Sequence, residues 1–504
     1  MDTHFKTMMS CALHGTMKCS QRKSFWVVLT PATTADSFDI VTIDKLPDDV
    51  LPEIFECYVD NIFWPWVKED WQILVHVCRR WRSLVFGSPR RLNLQIVCTV
   101  RTRVKELLNI WPNLPIVISV ENIDKTSGVD NVIAALEHND RISRLDVVIW
   151  GHRLLDVENA VEELVSVMQK PFPMLLSLKL RWNEDAVPVF PESFLGGSPR
   201  LQSLHSCGIP SPALQKLLLS ATDISSLCLG GISRPYLSPE EAIICLSALT
   251  KLEHLSFDYI PPRSLTDQES RHPLPPTRIV LPALRSLEFE ELSDSEYLEE
   301  LVARIDAPLL RHIEILFNDE PTSDTLQLAR FIQRTPKLKG FNEARISFHC
   351  EIVDVKVMLP SFDRIELGIA FNELSLQPSS LAWVGRPSLL PLPTLEHLYV
   401  SESEFSRFWE DNENTRWLEL FHPFTAVKYL YLSKGLVPRI VPVLQELVGE
   451  RATEVLPALQ NISLENLKLL SGPVQEAIQQ LVTARQLSGH PITVSSWKRD
   501  PRLD

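Results

Sequence analysis

Thirteen histidines and nine cysteines are the residues best suited to metal or nucleophilic chemistry, and they are dispersed along the 504-residue chain. Cys11, His14 and Cys19 come nearest to a metal-ligand set. No second pair follows in register, whereas structural zinc sites usually have four ligands, so the alternative interpretation is an N-terminal tail. The odd number of cysteines, the lack of any C-x-x-C pair and their mostly apolar neighbours favour reduced, buried thiols in an intracellular protein.

Sequence motifs for catalysis or phosphate binding are absent: the chain has no GxGxxG, Walker A, GxSxG, HExxH or EF-hand spacing. The acidic pairs at 290–291 and 299–300 have the chemistry of general acids and bases, but such pairs more often form solvated faces. We therefore expect no enzyme, no cofactor and no metal. An enzyme with a site on one face of a repeat array is the remaining alternative.

The composition is that of a folded, water-soluble protein, with 45% apolar and 23% charged residues. Lys and Arg number 50 against 64 Asp and Glu, which gives a net charge of −14 and disfavours nucleic acid and anionic membranes as partners. A local basic cluster at 79–82 and 90–91 is the exception. No signal peptide or apolar run of membrane-spanning length is visible, so we expect a cytoplasmic or nuclear protein.

The elements that position these residues are predicted by a recurring pattern, L-x-x-L-x-L. Its last two apolar positions are two residues apart and therefore share one face of a short strand. The mean spacing is about 29 residues, within the range of leucine-rich repeats. The copies start at 142, 175, 201, 224, 252, 284, 310, 338, 362, 395, 427 and 459.

Helices are expected between the strands. Ser238, Pro239 and Glu241 offer an N-cap, a proline in the first turn and a capping-box glutamate, and Ile243, Ile244 and Leu246 are predicted to form the buried side. Further helices are expected near 155–169, 295–305, 323–334, 406–420 and 473–487. Strand and return helix at this period predict an α/β fold: a curved solenoid with parallel strands and outer helices.

These repeats resemble leucine-rich repeat proteins, in an irregular form. In the regular family the position that follows the pattern is Asn or Cys. Here two units follow that rule, with Asn183 and Asn318. Apolar residues take that position in most other units, so we expect turns filled by packing; they are Ile209, Ile232, Ile260, Leu292 and Leu467. Two proline-rich stretches, 261–276 and 377–393, are predicted to be exposed loops.

Alternate positions in such strands point away from the buried leucines and stack into columns. One column is predicted to contain Tyr399 and Tyr431, with Glu288 and Glu314 earlier in the same register. Stacked aromatics beside charge suit a protein-binding hot spot, so the two tyrosines are our candidate substrate-binding residues. The alternative is that tyrosine merely suits an exposed strand.

Two helical segments precede the repeats, at 46–55 (LPDDVLPEIF) and 71–85 (WQILVHVCRRWRSLV). Apolar residues at steps of three and four predict one amphipathic helix in the second segment. In the first segment Pro52 cannot donate a backbone hydrogen bond, so its helix is expected to start late. Residues 61–69 lengthen the link between them. The predicted apolar face of the second helix comprises Leu74, Val77, Cys78, Trp81 and Val85.

Residues 43–91 resemble the F-box: the Leu-Pro opening, Ile54 and Phe55 eight residues on, the Val-Cys-Arg-Arg-Trp-Arg core and the Ser-Pro-Arg exit. F-boxes followed by irregular leucine-rich repeats are numerous in mushroom-forming (basidiomycete) fungi, and residues 484–491 resemble the ending of that group. The resemblance implies docking on the Skp-family adaptor of a cullin-based ubiquitin ligase. Carried onto matching positions, the adaptor-binding residues are Leu46, Pro47, Val50, Leu51, Ile54, Phe55, Val77, Cys78 and Trp81.

The predicted organisation is a tail (1–42), an F-box domain (43–96), a leucine-rich solenoid (97–496) and a C-terminal tail (497–504). By the resemblance, the chain is a non-catalytic receptor whose repeats present a protein substrate to a Skp, cullin, F-box type E3 ubiquitin ligase. The alternative function is a repeat scaffold for protein interactions, whose F-box-like helices serve as a cap on the solenoid.

Overall fold

The structure is a computed structural model of the whole chain. The residues it describes are 45–60, 70–121, 128–149, 162–182, 190, 194–230, 237–260, 278–292, 295–318, 325–349, 352–358, 363–370, 390, 392–402, 414–446, 451, 454–466 and 472–498. Both proline-rich stretches fall almost wholly outside these residues, as do the 61–69 link and the Cys11, His14 and Cys19 group. The chain divides into two compact units, Met1–Ile54 and Phe55–Asp504.

Three helices open the described chain: Leu51–Asp60, Asp70–Val77 and Arg79–Gly87. The first begins with Pro52 in its first turn, where the missing N–H costs nothing, so the late start is confirmed. The predicted single helix over 71–85 is wrong, because Cys78 has an extended backbone and separates two helices. The Cys78 thiol caps the second by accepting from the Trp81 N–H at 3.4 Å.

The second unit contains a sheet of sixteen strands within the described residues, in the order β1-β2-β3-β4-β5-β6-β7-β9-β11-β14-β13-β12-β15-β16-β17-β18. β8 and β10 form a separate parallel pair. The strands are β1 Ile96–Cys98, β2 Ile116–Glu121, β3 Ile142–Ile149, β4 Ser177–Trp182, β5 Ser203–Cys207, β6 Ser226–Gly230, β7 His254–Ile260, β8 Ile279–Val280, β9 Ser286–Leu292, β10 Ile305–Asp306, β11 His312–Phe317, β12 Glu343–Phe348, β13 Ile352–Met358, β14 Arg364–Ala370, β15 His397–Glu402, β16 Tyr429–Leu432, β17 Asn461–Glu465 and β18 Thr493–Trp497.

The leucine pattern accounts for the core of this sheet. Leu252, Leu255 and Phe257 of one repeat are all buried, and the equivalent residues of the next repeat are buried as well. The rings of Phe257 and Phe289 stack 4.8 Å apart across two adjacent strands. Each unit therefore buries its apolar residues against its neighbours, as expected of a leucine-rich repeat. The array also starts earlier than the pattern indicated, since β1 and β2 precede residue 142.

The helices between strands largely follow their sequence signals. They are Val104–Ile110, Val129–Leu136, Ser211–Ser220, Pro239–Ser247, Ser295–Ala303, Leu326–Arg334, Asn414–Phe421, Val437–Gln445 and Gly472–Leu487, with a further helix over 162–167 and 3-10 turns at Phe194–Gly197 and Leu392–Thr394. The capping box at Ser238 and Glu241 is present with both hydrogen bonds. Its predicted buried side is partly wrong, because Ile244 is 60% exposed and Ala242 and Cys245 are buried instead.

Two expectations about polar and apolar positions are resolved by packing. Ile209 and Leu292, which stand where regular repeats have Asn, are both buried, so apolar packing takes the place of the Asn side chain at these two positions. Glu299 does not lie on a solvated face: its carboxylate accepts from the N–H groups of Gln327 and Leu328, at 2.6 and 2.9 Å. It thereby caps the helix of the following unit.

The sheet is not wholly parallel. β12, β13 and β14 form an antiparallel meander, with β12 parallel to β15 and β14 parallel to β11. The links of three and five residues are too short for the crossover that parallel strands need. The copies predicted at 338 and 362 are therefore not successive parallel units. The pattern of the copy predicted at 338 in fact starts at residue 341, because Phe341, Ala344 and Ile346 are the buried residues with its spacing.

Candidate functional site

The face of the sheet opposite to the buried leucines carries polar and aromatic side chains in columns. We call the middle column of this face the central column. Each of its residues is the register partner of the next one on the adjacent strand. This places Glu288 opposite Glu314 and Tyr399 opposite Tyr431, in the register predicted from the sequence. The central column comprises Ser119, Asp146, Lys179, His205, Cys228, Ser256, Glu288, Glu314, Glu366, Lys356, Arg345, Tyr399, Tyr431, Ser463 and Ser495.

Towards the C-terminal end of this face five rings form what we call the aromatic cluster: His397, Tyr399, Tyr429, Tyr431 and Trp497. Tyr399 and Tyr431 stack with centroids 4.1 Å apart, and His397 and Tyr429 stack at 4.6 Å. Trp497 meets the two central-column tyrosines edge-on at 5.9 and 5.7 Å. All five rings are half-buried, so their remaining surface is available to a ligand.

Hydrogen bonds and a cation fix these rings. The Trp497 indole N–H donates to the Leu432 carbonyl at 3.2 Å, which lays the indole across the last strands. The Arg345 guanidinium lies 4.9 Å from the Tyr399 ring centroid and donates to the Glu343 carboxylate. Burial, with the nearby Glu343 charge, raises the pKa of Tyr399, so its phenol stays protonated at neutral pH. Preordered Tyr, Trp and Arg side chains are typical of protein-binding hot spots.

Sequence reasoning found two members of the aromatic cluster and missed the rest. His397 and Tyr429 stand two residues before the predicted tyrosines, so the two-residue strand period could have found them. The sequence predicts a C-terminal tail for Trp497, but Trp497 is the last residue of β18 and pairs with Glu465. Recognising it would have required knowing that a further strand follows residue 465.

The middle of the same face is a network of charges. The Glu314 carboxylate accepts from His312 at 3.1 Å and lies 3.5 Å from Arg364, and the His312 hydrogen bond and charge hold the pKa of Glu314 below its usual value. Lys356 pairs with Glu366 at 2.9 Å. Opposite charges in the same column and in adjacent columns thus pair with one another.

Glu290 differs from its acidic neighbours. Desolvation by the side chains around it, together with the charges of Asp258, Glu288 and Glu314, raises its pKa to about 7. Glu290 is nevertheless exposed, as expected of the acidic pair at 290–291.

The predicted adaptor-binding residues of the first unit differ in exposure. Leu46 and Val50 are half-buried, Pro47 is exposed and Leu51 is fully buried. Ile54 is 38% exposed. Ile54 and Pro47 are thus the members of this group whose side chains are open to a partner.

The predicted adaptor-binding residues of the second unit also include both buried and exposed side chains. Phe55 is buried and packs on the half-buried Trp81 with ring centroids 4.7 Å apart, so this pair forms an internal contact. Val77 is 55% exposed and Cys78 is exposed, so these two members of the predicted apolar face lie at the surface, apart from the buried Leu74 and Val85. The break at Cys78 is the cause, because the helical period does not continue through an extended residue.

Sequence reasoning missed Ile73, which is 54% exposed and lies one helical turn before Val77. Leu74 and Val75 of the same helix are buried, and Trp71 is held by an indole hydrogen bond to the Gln95 carbonyl at 2.9 Å. The helix Asp70–Val77 therefore has one face fixed inside the protein and a branched aliphatic pair outside. We call Ile73 and Val77 the exposed aliphatic pair.

The basic cluster near these helices is partly engaged within the protein. Arg82 donates to the Val75 carbonyl at 2.9 Å, and Arg91 pairs with Glu56 at 3.1 Å.

In the part of the chain that the structure describes, no helix is both long and apolar enough to span a membrane.

The chain matches no protein-family model and no curated protein sequence. Among solved structures, a leucine-rich repeat-containing protein from Legionella pneumophila is 14% identical with a TM-score of 0.29, over 79% of this chain and 98% of that chain. A protein from Bacteroides fragilis is 11% identical with a TM-score of 0.18, over 76% of each chain. Because TM-scores this low do not establish a common fold, the repeat assignment rests on strand register and buried leucines.

Proposed function

We propose that this chain is a non-catalytic substrate receptor of a Skp, cullin, F-box type E3 ubiquitin ligase, acting in the cytoplasm, the nucleus or both. The proposal rests on the F-box resemblance of residues 43–91, and one observation carries it: the exposed aliphatic pair lies within that segment. Two branched aliphatic side chains more than half exposed, one turn apart on a helix whose other face is packed, are suited to burial against a partner.

The mechanism would be proximity. Docking on the adaptor brings the chain to the cullin, and a protein held on the repeats is then kept close to a ubiquitin-charged enzyme. Holding two reactants together raises their effective concentration without any chemistry by the receptor itself. The aromatic cluster is our candidate for the substrate surface, since its stacked rings and Arg345 provide a preordered, half-buried contact area.

A second function, a repeat scaffold capped by F-box-like helices, is favoured by a different observation. Leu51 and Phe55, two of the predicted docking residues, are buried within this chain and are not displayed. Repeat arrays need caps to cover their terminal apolar faces. A cap and an adaptor-binding module make opposite predictions for the exposed aliphatic pair, because only the module requires it.

The test is co-purification of the full chain with a Skp-family adaptor, comparing wild type with Ile73→Asp and Val77→Asp. Both side chains are exposed, so the substitutions should leave the fold intact while placing a charge in the interface. We expect a stable complex with wild type and at least about a tenfold loss of affinity in each variant. Ile54→Asp tests the first unit separately.

The matched control is Ile244→Asp, an equally drastic change at an isoleucine that is 60% exposed on a repeat helix; it should retain the adaptor. Trp81→Ala is a poor probe, because it removes the internal contact with Phe55. If folded wild type does not bind the adaptor, the ligase proposal fails and the scaffold function leads. In cells, Val77→Asp should lose the adaptor and Tyr431→Ala should lose a different set of bound proteins.

A further inference from the structure

Three neighbouring strands bring together side chains of the kind that bind transition metals. His205 of β5, Cys228 of β6 and Asp258 of β7 each offer one ligand atom, and these atoms all lie within 4.8 Å of one another. His205 and Cys228 are opposite each other in the central column, and Asp258 stands two residues further along the adjoining strand. All three side chains are half-buried, which shields the group without closing it.

His205 shows the strongest sign of a missing partner. Its Nε2 atom is buried and has no hydrogen-bond partner among the described residues. A buried ring nitrogen without a partner costs free energy, and metal coordination is one way to satisfy it.

A glycine beside these ligands makes room for the buried thiol of Cys207. Gly230 lies between Cys207 and Asp258 in the strand register. A Cβ atom at this position would come within 2.5 Å of the Cys207 Sγ atom and 3.1 Å of the Asp258 carbonyl. A larger residue would therefore press on the Cys207 thiol and on the backbone of Asp258, and so disturb the position of this ligand.

Asp258 is oriented by a second residue. The Arg181 Nη2 atom donates to the Asp258 Oδ2 atom at 2.6 Å, and a carboxylate has a second oxygen with which to bind a cation. Metal ligands are commonly oriented in this way by outer hydrogen bonds. The carboxylate of Asp258 and a Cys228 thiolate together carry two negative charges, which match a divalent cation.

We propose that His205, Cys228 and Asp258 form a binding site for one divalent cation of the zinc class, with a fourth position open to water or to a group of a bound partner. An imidazole nitrogen, a thiolate and a carboxylate oxygen are all ligands that Zn²⁺ accepts. A cysteine binds metal as the thiolate, so the Cys228 thiol gives up its proton to solvent as the sulfur–metal bond forms.

The test uses Co²⁺ as a spectroscopic substitute for Zn²⁺ on the full-length, chelator-treated protein. We expect one equivalent to bind with a thiolate-to-cobalt charge-transfer band, and Zn²⁺ to displace it. Cys228→Ser should abolish the band, and His205→Ala and Asp258→Asn should each weaken binding by at least about tenfold. Gly230→Ala should also weaken it, whereas Cys57→Ser, at an exposed thiol on an N-terminal helix, should not.

A second measurement needs no variant. Alkylation of the native protein, read by mass spectrometry, should modify Cys228 more slowly when Zn²⁺ is present and leave the rate at Cys57 unchanged. Absence of a charge-transfer band in folded wild type, or a band that persists in Cys228→Ser, would overturn the proposal. Equal alkylation of Cys228 with and without Zn²⁺ would do the same and would show a metal-free polar group.

Discussion

Glu314 is an ion-paired carboxylate whose pair has a defined pH dependence. The hydrogen bond from His312 and the charges of His312 and Arg364 hold the pKa of Glu314 below its ordinary value of 4.5. A lowered folded-state pKa means that ionised Glu314 stabilises the fold above pH 4.5, and that this contribution is lost as the pH falls through the folded-state pKa. The charge network of the sheet is therefore expected to weaken in acid.

We predict that Glu314→Gln lowers the free energy of unfolding at pH 7, and that the difference from wild type shrinks as the pH falls below 4.5. Urea unfolding of both proteins across this range measures it. The expected effect at pH 7 is below about 1 kcal/mol, because the Glu314 side chain is 41% exposed and water screens the pair. A difference that grows in acid would contradict the interpretation.

The helix Pro239–Ser247 shows how one unit depends on a local signal. Ser238 accepts from the Glu241 N–H at 3.2 Å, and the Glu241 carboxylate accepts from the Ser238 N–H at 2.9 Å. These two bonds satisfy donors that the first turn of a helix leaves without partners. The helix in turn buries Ala242, Cys245 and Leu246 inside the array.

Ser238→Ala is predicted to lower the free energy of unfolding by about 1 kcal/mol. Denaturant unfolding provides the measurement. Ser247→Ala is the matched control, because it makes the same change at the exposed end of the same helix, where the hydroxyl donates to the Ile244 carbonyl. Equal effects from both substitutions would show that the capping box contributes nothing beyond the loss of a hydroxyl.

Strands and helices that follow a simple period were predictable, and those that depend on a break in it were not. The L-x-x-L-x-L copies mark real strands because each needs buried residues at a two-residue spacing. The meander strand β13 also alternates apolar and polar residues, with Val353, Val355 and Val357 buried. None of the predicted L-x-x-L-x-L copies lies on this strand, so the repeat pattern does not predict it. At Cys78 the helical spacing of apolar residues continues in the sequence, but the helical backbone is interrupted.

The same distinction holds for the candidate sites. The column containing Tyr399 and Tyr431 follows from strand register, which equivalent repeat positions fix in advance. The group of His205, Cys228 and Asp258 comes from three units at two different strand positions, and nothing in their spacing along the chain links them. Its recognition required the register of β5, β6 and β7.

The net charge of −14 is a property of the whole chain and sets its long-range interactions. We predict no saturable binding to duplex DNA, single-stranded RNA or phosphatidylserine vesicles at physiological salt, because counterion release requires a positive surface. Fluorescence anisotropy and vesicle sedimentation measure this. Salt-sensitive binding that Arg90→Glu abolishes would show that the local basic cluster overrides the net charge.

The meander of β12, β13 and β14 also has a consequence for synthesis on the ribosome. Strands β1 to β7, then β9 and β11, can each join the sheet in the order in which they emerge. β12 cannot, because the place beside β11 belongs to β14, which is made later. The growing chain must therefore hold β12 unpaired with the earlier array until residue 370 has left the exit tunnel. This point, where sequential growth pauses, is where a nascent chain most needs protection from misassembly.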